Sequence, residues 1–465
     1  MIMHKFLLCL FLTITLCGCT VGQNYTKPSV VTPAAWRIDE KESKDVANTQ
    51  WWEQFNDPTL NALIQTALKE NKDLLLATSR VDEYLARYQT TRADLFPQVD
   101  AQTTASRARS TQKGPVPLSS SIDPVSNNFV ANLNLSWEID IWGQLRRSTE
   151  AARADLLSLQ EAKKAVVLTL IANVANAYIH LLSLDHQLEI SRATLKTRED
   201  SVTLFQSRFD GGLVSEVELL QVKSEYYATL AVIPTIEANI TQQENALSIL
   251  LGQNPGPITR GKTFNELILP SVPAGIPSKV LEQRPDILQA EQQLVSANAR
   301  LGAAQAQFFP SISLTSALGT SSAELENLFT GPAQTWSFAG SIIGPIFNAG
   351  KIRGQVNTAK AQRQEALFNY FIAIQNAFRE VNDALASEYQ IKNQLQSQAQ
   401  QVEALEKYNS LAWLRYDNGY TDYLEVLDAQ RNLFSVRLSY TQTKENLLRE
   451  MVTLYLAMGG GWGLN

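Results

Sequence analysis

The stretch GPITRGKT, residues 256–263, satisfies the spacing Gly-x4-Gly-Lys-Thr of a phosphate-binding loop. In that chemistry backbone amides cradle the phosphates, the lysine reaches the outer ones and the hydroxyl meets a magnesium ion. A strand must precede the loop, and a helix N-terminus facing the anion must follow it. Neither is expected here. The run NALSILLG precedes the loop with helical spacing, Pro257 removes one of its amides, and Pro270, Pro273 and Pro277 follow. The segment reads as irregular structure, not as a nucleotide site. The other candidates are thinner. His180 and His186 are six apart and fall on different faces of a helix, so they do not make a metal pair. Glu53 and Asp57 read as solvated or capping groups, not as a general acid and base. The expectation is a non-enzyme, with no metal and no dissociable cofactor.

Cysteine supplies the one modification signal. Cys9, Cys17 and Cys19 all fall in the first 19 residues, after a single Lys5 and an apolar run. This reads as a secretory signal peptide over residues 1–18. Its ending, Leu16-Cys17-Gly18-Cys19, resembles the bacterial lipoprotein cleavage box, with Cys19 as the acylated residue. Cys19 would then carry a covalent lipid, diacylglycerol plus an N-acyl chain of the palmitate class. Thr20 stands where an Asp would favour retention in the inner membrane, so outer-membrane sorting is expected. Removing Lys5 changes the net charge from −6 to −7. With charged residues at 18%, below the roughly 25% of ordinary soluble proteins, nucleic acid is not an expected partner. After the signal no stretch of about 20 apolar residues occurs. Any crossing of a bilayer must therefore use strands.

The elements that position these residues come in two copies. NKDLLLA (71–77) matches RPDILQA (284–290), DLFPQVDA (94–101) matches QFFPSISL (307–314), and RFDGG (208–212) matches RYDNG (415–419). The repeated unit is helix, strand, strand, long helix, turn, helix. Residues 144–210 and 355–418 contain neither Gly nor Pro, which predicts two helices of roughly 100 Å each. Val166, Leu170, Val174, Ala177, Leu181 and Leu184 recur at helical spacing. Gly211 or Gly212, and Gly419, suit left-handed caps. Return helices over 213–251 and 420–458 and pre-strand helices over 73–96 and 286–309 are expected to stack end to end beside the long ones. Pro234 predicts a kink in the first return helix.

Between the helices the period changes to two. In FVANLNLSWEIDIW (129–142) the odd positions are apolar and the even ones polar. The same alternation marks about 97–107, 310–319 and 335–346. Each run has the length that crosses a bilayer when tilted, and Phe96, Phe308, Phe309, Trp137, Trp142 and Trp336 lie near strand ends. Four strands in lipid leave two bare edges, so several chains must share one barrel. Two, three or four copies satisfy that argument equally.

Together the lipoprotein box, WWEQFNDPTL (51–60), the Phe-Pro strand openings, SWEIDIWGQLR (136–146), RPDILQAE (284–291) and RYDNGYTDYLEVLDAQRNL (415–433) resemble the outer-membrane efflux lipoproteins of the TolC type, the OprM-like and NodT-like channel subunits. The resemblance implies a mainly α chain with a membrane β-barrel portion. Long antiparallel hairpins would form an α-barrel, and four strands per chain a shared trimeric 12-stranded barrel. It implies a passive exit duct for drugs or other small amphiphiles. The duct would lie in the outer membrane, lipid-anchored and extending into the periplasm, and serve a periplasmic adaptor and an inner-membrane transporter. By the same resemblance Leu424 and Asp428 line the pore near its tip. Arg415 and Tyr416 hold the inner hairpin shut by polar contacts to a neighbouring helix. Gly212 and Gly419 shape the tips where the adaptor docks. Tyr420 and the extra Gly211 depart from the family's usual tip.

The expected organisation is a signal over 1–18, a lipid-anchored segment and part of an equatorial belt over 19–58, and a first repeat over 59–251. A belt linker over 252–283, a second repeat over 284–458 and a tail over 459–465 follow. The alternatives are a structural periplasm-spanning coiled-coil lipoprotein and a type I protein-secretion duct. The lipoprotein box and RPDILQAE favour efflux.

Overall fold

The computed structural model describes residues 20–33, 36, 50–113, 115, 123–271 and 277–460. Cys19 and the signal lie outside the described residues, as do most of 34–49 and the tail 461–465. In chain order the elements are α1 (Pro58–Glu70), α2 (Lys72–Ala93), β1 (Gln98–Arg109), β2 (Val125–Glu138), α3 (Gln144–Asp210) and α4 (Glu216–Leu250). Then come α5 (Pro277–Gln283), α6 (Pro285–Ala306), β3 (Ser311–Ser322), β4 (Gln334–Ile343), α7 (Lys351–Asp417) and α8 (Tyr423–Ala457).

The two-copy pattern is realised with shifted boundaries, each for a local reason. The return helices have 35 residues each, because Ser215 forms a capping box with Glu218, and Asp422 accepts from the Leu424 amide. Pre-strand helices α2 and α6 have 22 residues each. Pro97 and Pro310 bias the residue before them away from helix, and the chain tightens into i→i−3 bonds first. Helix α7 begins at Lys351 and accommodates Gly354 in its first turn, so the Gly-free run underestimates its start. The linker expected to be irregular contains α5. Helix α4 runs continuously through Pro234. Both long helices have 67 residues and end alike. Gly212 (φ +69°) and Gly419 (φ +74°) adopt the left-handed conformation. The Leu213 and Tyr420 amides reach back to Arg208 and Arg415 carbonyls, closing the orphan carbonyls of each helix end.

The sheet is antiparallel with strand order β1-β2-β3-β4. Its register sorts the side chains by chemistry. Ala101, Leu133, Leu318 and Trp336 lie across one face, as do Val99, Leu135 and Phe338. Asp100, Gln102, Asn132, Asn134, Ser313, Thr315, Ser337 and Ser341 occupy the other. On that polar face Asn134 donates to Gln102 and Ser321 to Asn128, both at 3.3 Å. The apolar face is uncovered, with Trp336 80% exposed. β2 ends at Glu138, with one last bond from the Ile139 amide to the Ile312 carbonyl at 2.8 Å, earlier than the alternation suggests. Asp140 turns instead to accept from the Leu145 and Arg146 amides at 3.1 and 2.8 Å, starting α3.

Two compact units divide the chain. The first comprises residues up to Ser29, Val81–Leu159 and Ala290–Tyr370. It holds the sheet and the extended strap 20–29. The Val21 amide donates to the Trp142 carbonyl at 2.9 Å, and Arg147 grips the Gly22 carbonyl and Asn24. Trp142 stacks on Phe309 at 4.6 Å and donates to the Pro310 carbonyl.

The second unit comprises Val30–Arg80, Gln160–Gln289 and Phe371–Asn465. Trp51, Trp52 and Phe55 are buried, with Tyr455 stacked on Trp51 at 5.1 Å. The expected end-to-end stacking has its contacts here. Asn71, at the start of α2, donates to the last-turn carbonyl of α4, Leu250. Arg284, at the start of α6, donates to the Ala457 carbonyl closing α8. One 18-residue window of α3 has a mean hydropathy of 1.8, more apolar than the spacing suggests. It is 61% buried, and Leu170, Ile171, Val174, Tyr178 and Ile179 are core. The buried stripe is wider than a single coiled-coil seam.

Candidate functional site

At the tip of the second unit, α3, α4, α7 and α8 converge on an aromatic cluster. Phe205, Tyr416 and Tyr423 form its centre, with ring centroids 4.2 Å (Phe205–Tyr423) and 5.2 Å (Tyr416–Tyr423) apart, and Trp413 edges onto both tyrosines. Burial pushes both phenols up, Tyr423 to about 12, so both stay neutral. Tyr416 accepts a hydrogen bond from Arg208 Nη1 at 3.1 Å, and the Arg208 guanidinium lies 5.6 Å from the Tyr416 ring centroid. The first hairpin is thereby tied to the second by a cation, a phenol and shared apolar surface.

Arg415 behaves differently from the expectation. It pairs with Glu425 at 2.8 Å, within its own hairpin, and Thr421 joins the same carboxylate. The polar contacts from α7 to Arg208 of the neighbouring α3 are made by Tyr416 and, at 3.9 Å, by Asp417, not by Arg415. Leu424 and Asp428 lie four apart on one face of α8 and are exposed, Leu424 by 55%. The opposite face carries Tyr423, Val426, Leu427 and Ala429, all buried. Asp428 accepts from Asn432 at 3.1 Å. Gly212 and Gly419 have open space where a Cβ would stand, but only a residue tolerant of positive φ fits.

Behind the tip lies a charge cluster that the sequence reading did not single out. Arg198 of α3 donates to Thr229 at 2.5 Å and pairs with Glu225 of α4 at 3.0 Å. Arg431 of α8 donates Nε to the same carboxylate at 2.6 Å. The Arg198 and Glu225 side chains are only 5% and 11% exposed. Arg208 was legible in principle, because RFDGG and RYDNG place it in register with Arg415. Glu225 had no signal, since only packing of three helices brings its partners together.

The remaining candidates resolve as structural groups. The loop 256–263 has no strand before it and only the three-residue turn Phe264–Glu266 after it. The amides of its Gly-Lys step are already used. The Lys262 amide donates to Asp57 at 3.2 Å and the Gly261 amide to the Tyr178 hydroxyl at 2.9 Å. Tyr178 in turn donates to Asp57. A carboxylate of the chain itself occupies the place of an anion. Asp57 is the N-cap of α1 and is fully buried, capping rather than solvated. His180 Nδ1 lies 2.8 Å from the buried Glu445, and His186 pairs with Glu189. Among the described residues no group of three His, Cys, Asp or Glu is placed to hold a metal.

Comparison with known proteins adds an independent line. The family described as outer membrane efflux protein matches residues 63–253 and 276–460. A toluene efflux pump outer membrane protein of Pseudomonas putida, TtgC, is 37% identical over 99% of this chain and 96% of its own. The cation efflux system protein CusC of Escherichia coli (strain K12) is 35% identical over 97% and 98%. The open-state crystal structure of the Neisseria gonorrhoeae outer membrane channel MtrE superposes with a TM-score of 0.86 at 31% identity, over 96% of this chain and 99% of that one.

Proposed function

The chain belongs to the outer membrane efflux protein family, and on that premise we propose that three copies share one 12-stranded barrel as the outer-membrane duct of a tripartite efflux system. The carrying observation is the sheet: one exposed apolar face, one polar face, and open edges at β1 and β4. Each unmet backbone group in hydrocarbon costs several kcal/mol. Pairing β4 of one copy with β1 of the next by cyclic symmetry removes that cost. Eight strands from two copies would be filled by their own side chains, whereas 12 leave a conduit lined by the polar face. Ile342 near the end of β4, and Ile346 and Phe347 just beyond it, are exposed and favour cover by lipid or a neighbour.

The duct is passive, and we assign no catalytic step to the chain. Its energy comes from an inner-membrane transporter, reached through a periplasmic adaptor docked at the Gly212 and Gly419 tips. Drugs or other small amphiphiles are the proposed cargo, and the relative named for toluene supports a small organic cargo in general. Cys19 carries the covalent lipid in this reading. Support comes from its neighbour Thr20, which packs so closely on Gly143 (φ +79°) that a side chain there would collide with it. The acyl chains would thus enter the bilayer beside the Trp142–Phe309 pair.

The closed tip is held by Arg208 on Tyr416, with Leu424 and Asp428 forming an apolar and an acidic ring. Single-channel recording in planar bilayers tests this. Arg208→Ala with Tyr416→Phe is expected to raise conductance severalfold, and Arg415→Ala alone to raise it less. Unchanged conductance in the double variant would sink the gate.

A further inference from the structure

The outward face of β1 changes character along its length. Val99, Ala101, Thr103 and Ala105 are succeeded on the same face by Arg107 and Arg109. The register fixes this assignment, because Arg107 stands opposite Asn127 and Arg109 opposite Val125, in the series that includes Leu133 and Leu135. Both arginines are exposed. Among the described residues neither has a carboxylate partner, and Asp123 in the same turn is engaged by the Val125 amide at 2.9 Å.

Their height follows from strand geometry. The inner aromatic level is set by Phe96, Trp142 and Phe309 and by Trp137, whose indole donates to the Leu95 carbonyl at 3.1 Å. Arg107 and Arg109 lie nine and eleven residues beyond Gln98. At about 3.3 Å per residue and a tilt of about 40°, they stand roughly 23 and 28 Å above it. That brackets the outer boundary of an apolar band about 25 Å tall. Cations meant only for solubility would serve equally on the polar face, where Ser106 and Ala108 stand at the same level. Both point instead toward the lipid side, at the level of headgroups.

We propose that Arg107 and Arg109 form a binding site for the phosphate groups of the glycolipid in the outer leaflet. Guanidinium groups match phosphate oxygens in geometry and charge, and a partly desolvated headgroup layer strengthens the pairing. The inference rests on the barrel reading above. The glycolipid would thus seal the β1 edge region, where one copy meets the next.

Native mass spectrometry of the purified full-length oligomer tests both readings separately. The protein is titrated with bisphosphorylated lipid A, with its dephosphorylated form and with phosphatidylglycerol. Trimers in the spectrum report on the barrel. Arg107→Gln with Arg109→Gln is expected to weaken retention of bisphosphorylated lipid A about tenfold or more, leaving the trimer intact. Arg107→Lys with Arg109→Lys should retain part of it. Equal retention by wild type and the Gln variant overturns the site, as does equal retention of the dephosphorylated lipid. An equal loss of phosphatidylglycerol binding overturns the glycolipid assignment. A wild-type protein without trimers overturns the barrel and the site with it.

Discussion

Glu225 is the acid on which three helices converge. With Arg198 buried beside it, removing the carboxylate leaves a cation without compensation, whereas Arg431 is half in solvent and dispensable. Glu225→Gln is therefore expected to lower stability by about 3 kcal/mol, and Arg431→Gln by less than about 1 kcal/mol. Denaturant unfolding followed by helical circular dichroism separates the two. Comparable losses would mean that the pair is not the buried keystone. Glu445 gives a pH signature. Burial alone pushes its carboxyl up, but hydrogen bonds from His180 and Ser183 and the charges of His180 and Arg449 outweigh it, leaving the group lowered. A carboxylate lowered in the folded state contributes stability above its unfolded value. That contribution is lost as pH falls through the folded value, below the ordinary glutamate range. Thermal unfolding of wild type should therefore weaken on acidification more steeply than that of Glu445→Gln. Parallel curves would refute the assignment. At this scale the sequence reading named Leu424, Asp428, Arg415 and Tyr416 but not Arg208, which donates to Tyr416 while Arg415 turns to Glu425, because a repeat motif fixes residue types and not their directions.

At the scale of elements, alternation and period did most of the predictive work. Four strands and the long hairpins follow from where apolar residues recur, and their ends follow from local chemistry. The ends that moved did so at Ser215, Asp422, Pro97 and Asp140, where a cap or a proline overrides periodicity. The two faces of β4 offer a sharp test. Phe338 and Ser337 are adjacent but point to opposite sides of the sheet. Arg at 338 would meet hydrocarbon, at a cost of about 2–4 kcal/mol near the midplane. Arg at 337 would meet water. Refolding into lipid vesicles, read by heat-modifiable mobility, should fail or slow for Phe338→Arg and proceed for Ser337→Arg. Equal yields would mean that the apolar face does not face lipid.

For the whole molecule, closure of the sheet and the anchoring proposed at Cys19 are separable. The barrel is held by strand pairing between copies, whereas the proposed lipid would be held covalently on Cys19 alone. Cys19→Ala is expected to abolish palmitate labelling while the oligomer remains resistant to detergent until heated. Undiminished labelling would remove Cys19 as the acylated residue. Among the described residues neither sheet edge is capped, and in the proposed barrel the free ladders of β1 and β4 would be completed by copies.

By itself the sequence determined what is periodic: the two-copy pattern, the helix and strand periods and the glycine tips. These are local properties, read within a few residues of one another. Tertiary structure alone decided the contacts that join distant positions. It placed Asp57 in the loop that imitates a phosphate site, Arg208 on Tyr416, and Glu225 between two arginines. Such partners are hundreds of residues apart in some cases, and only the packing of helices selects them from many residues of the same charge.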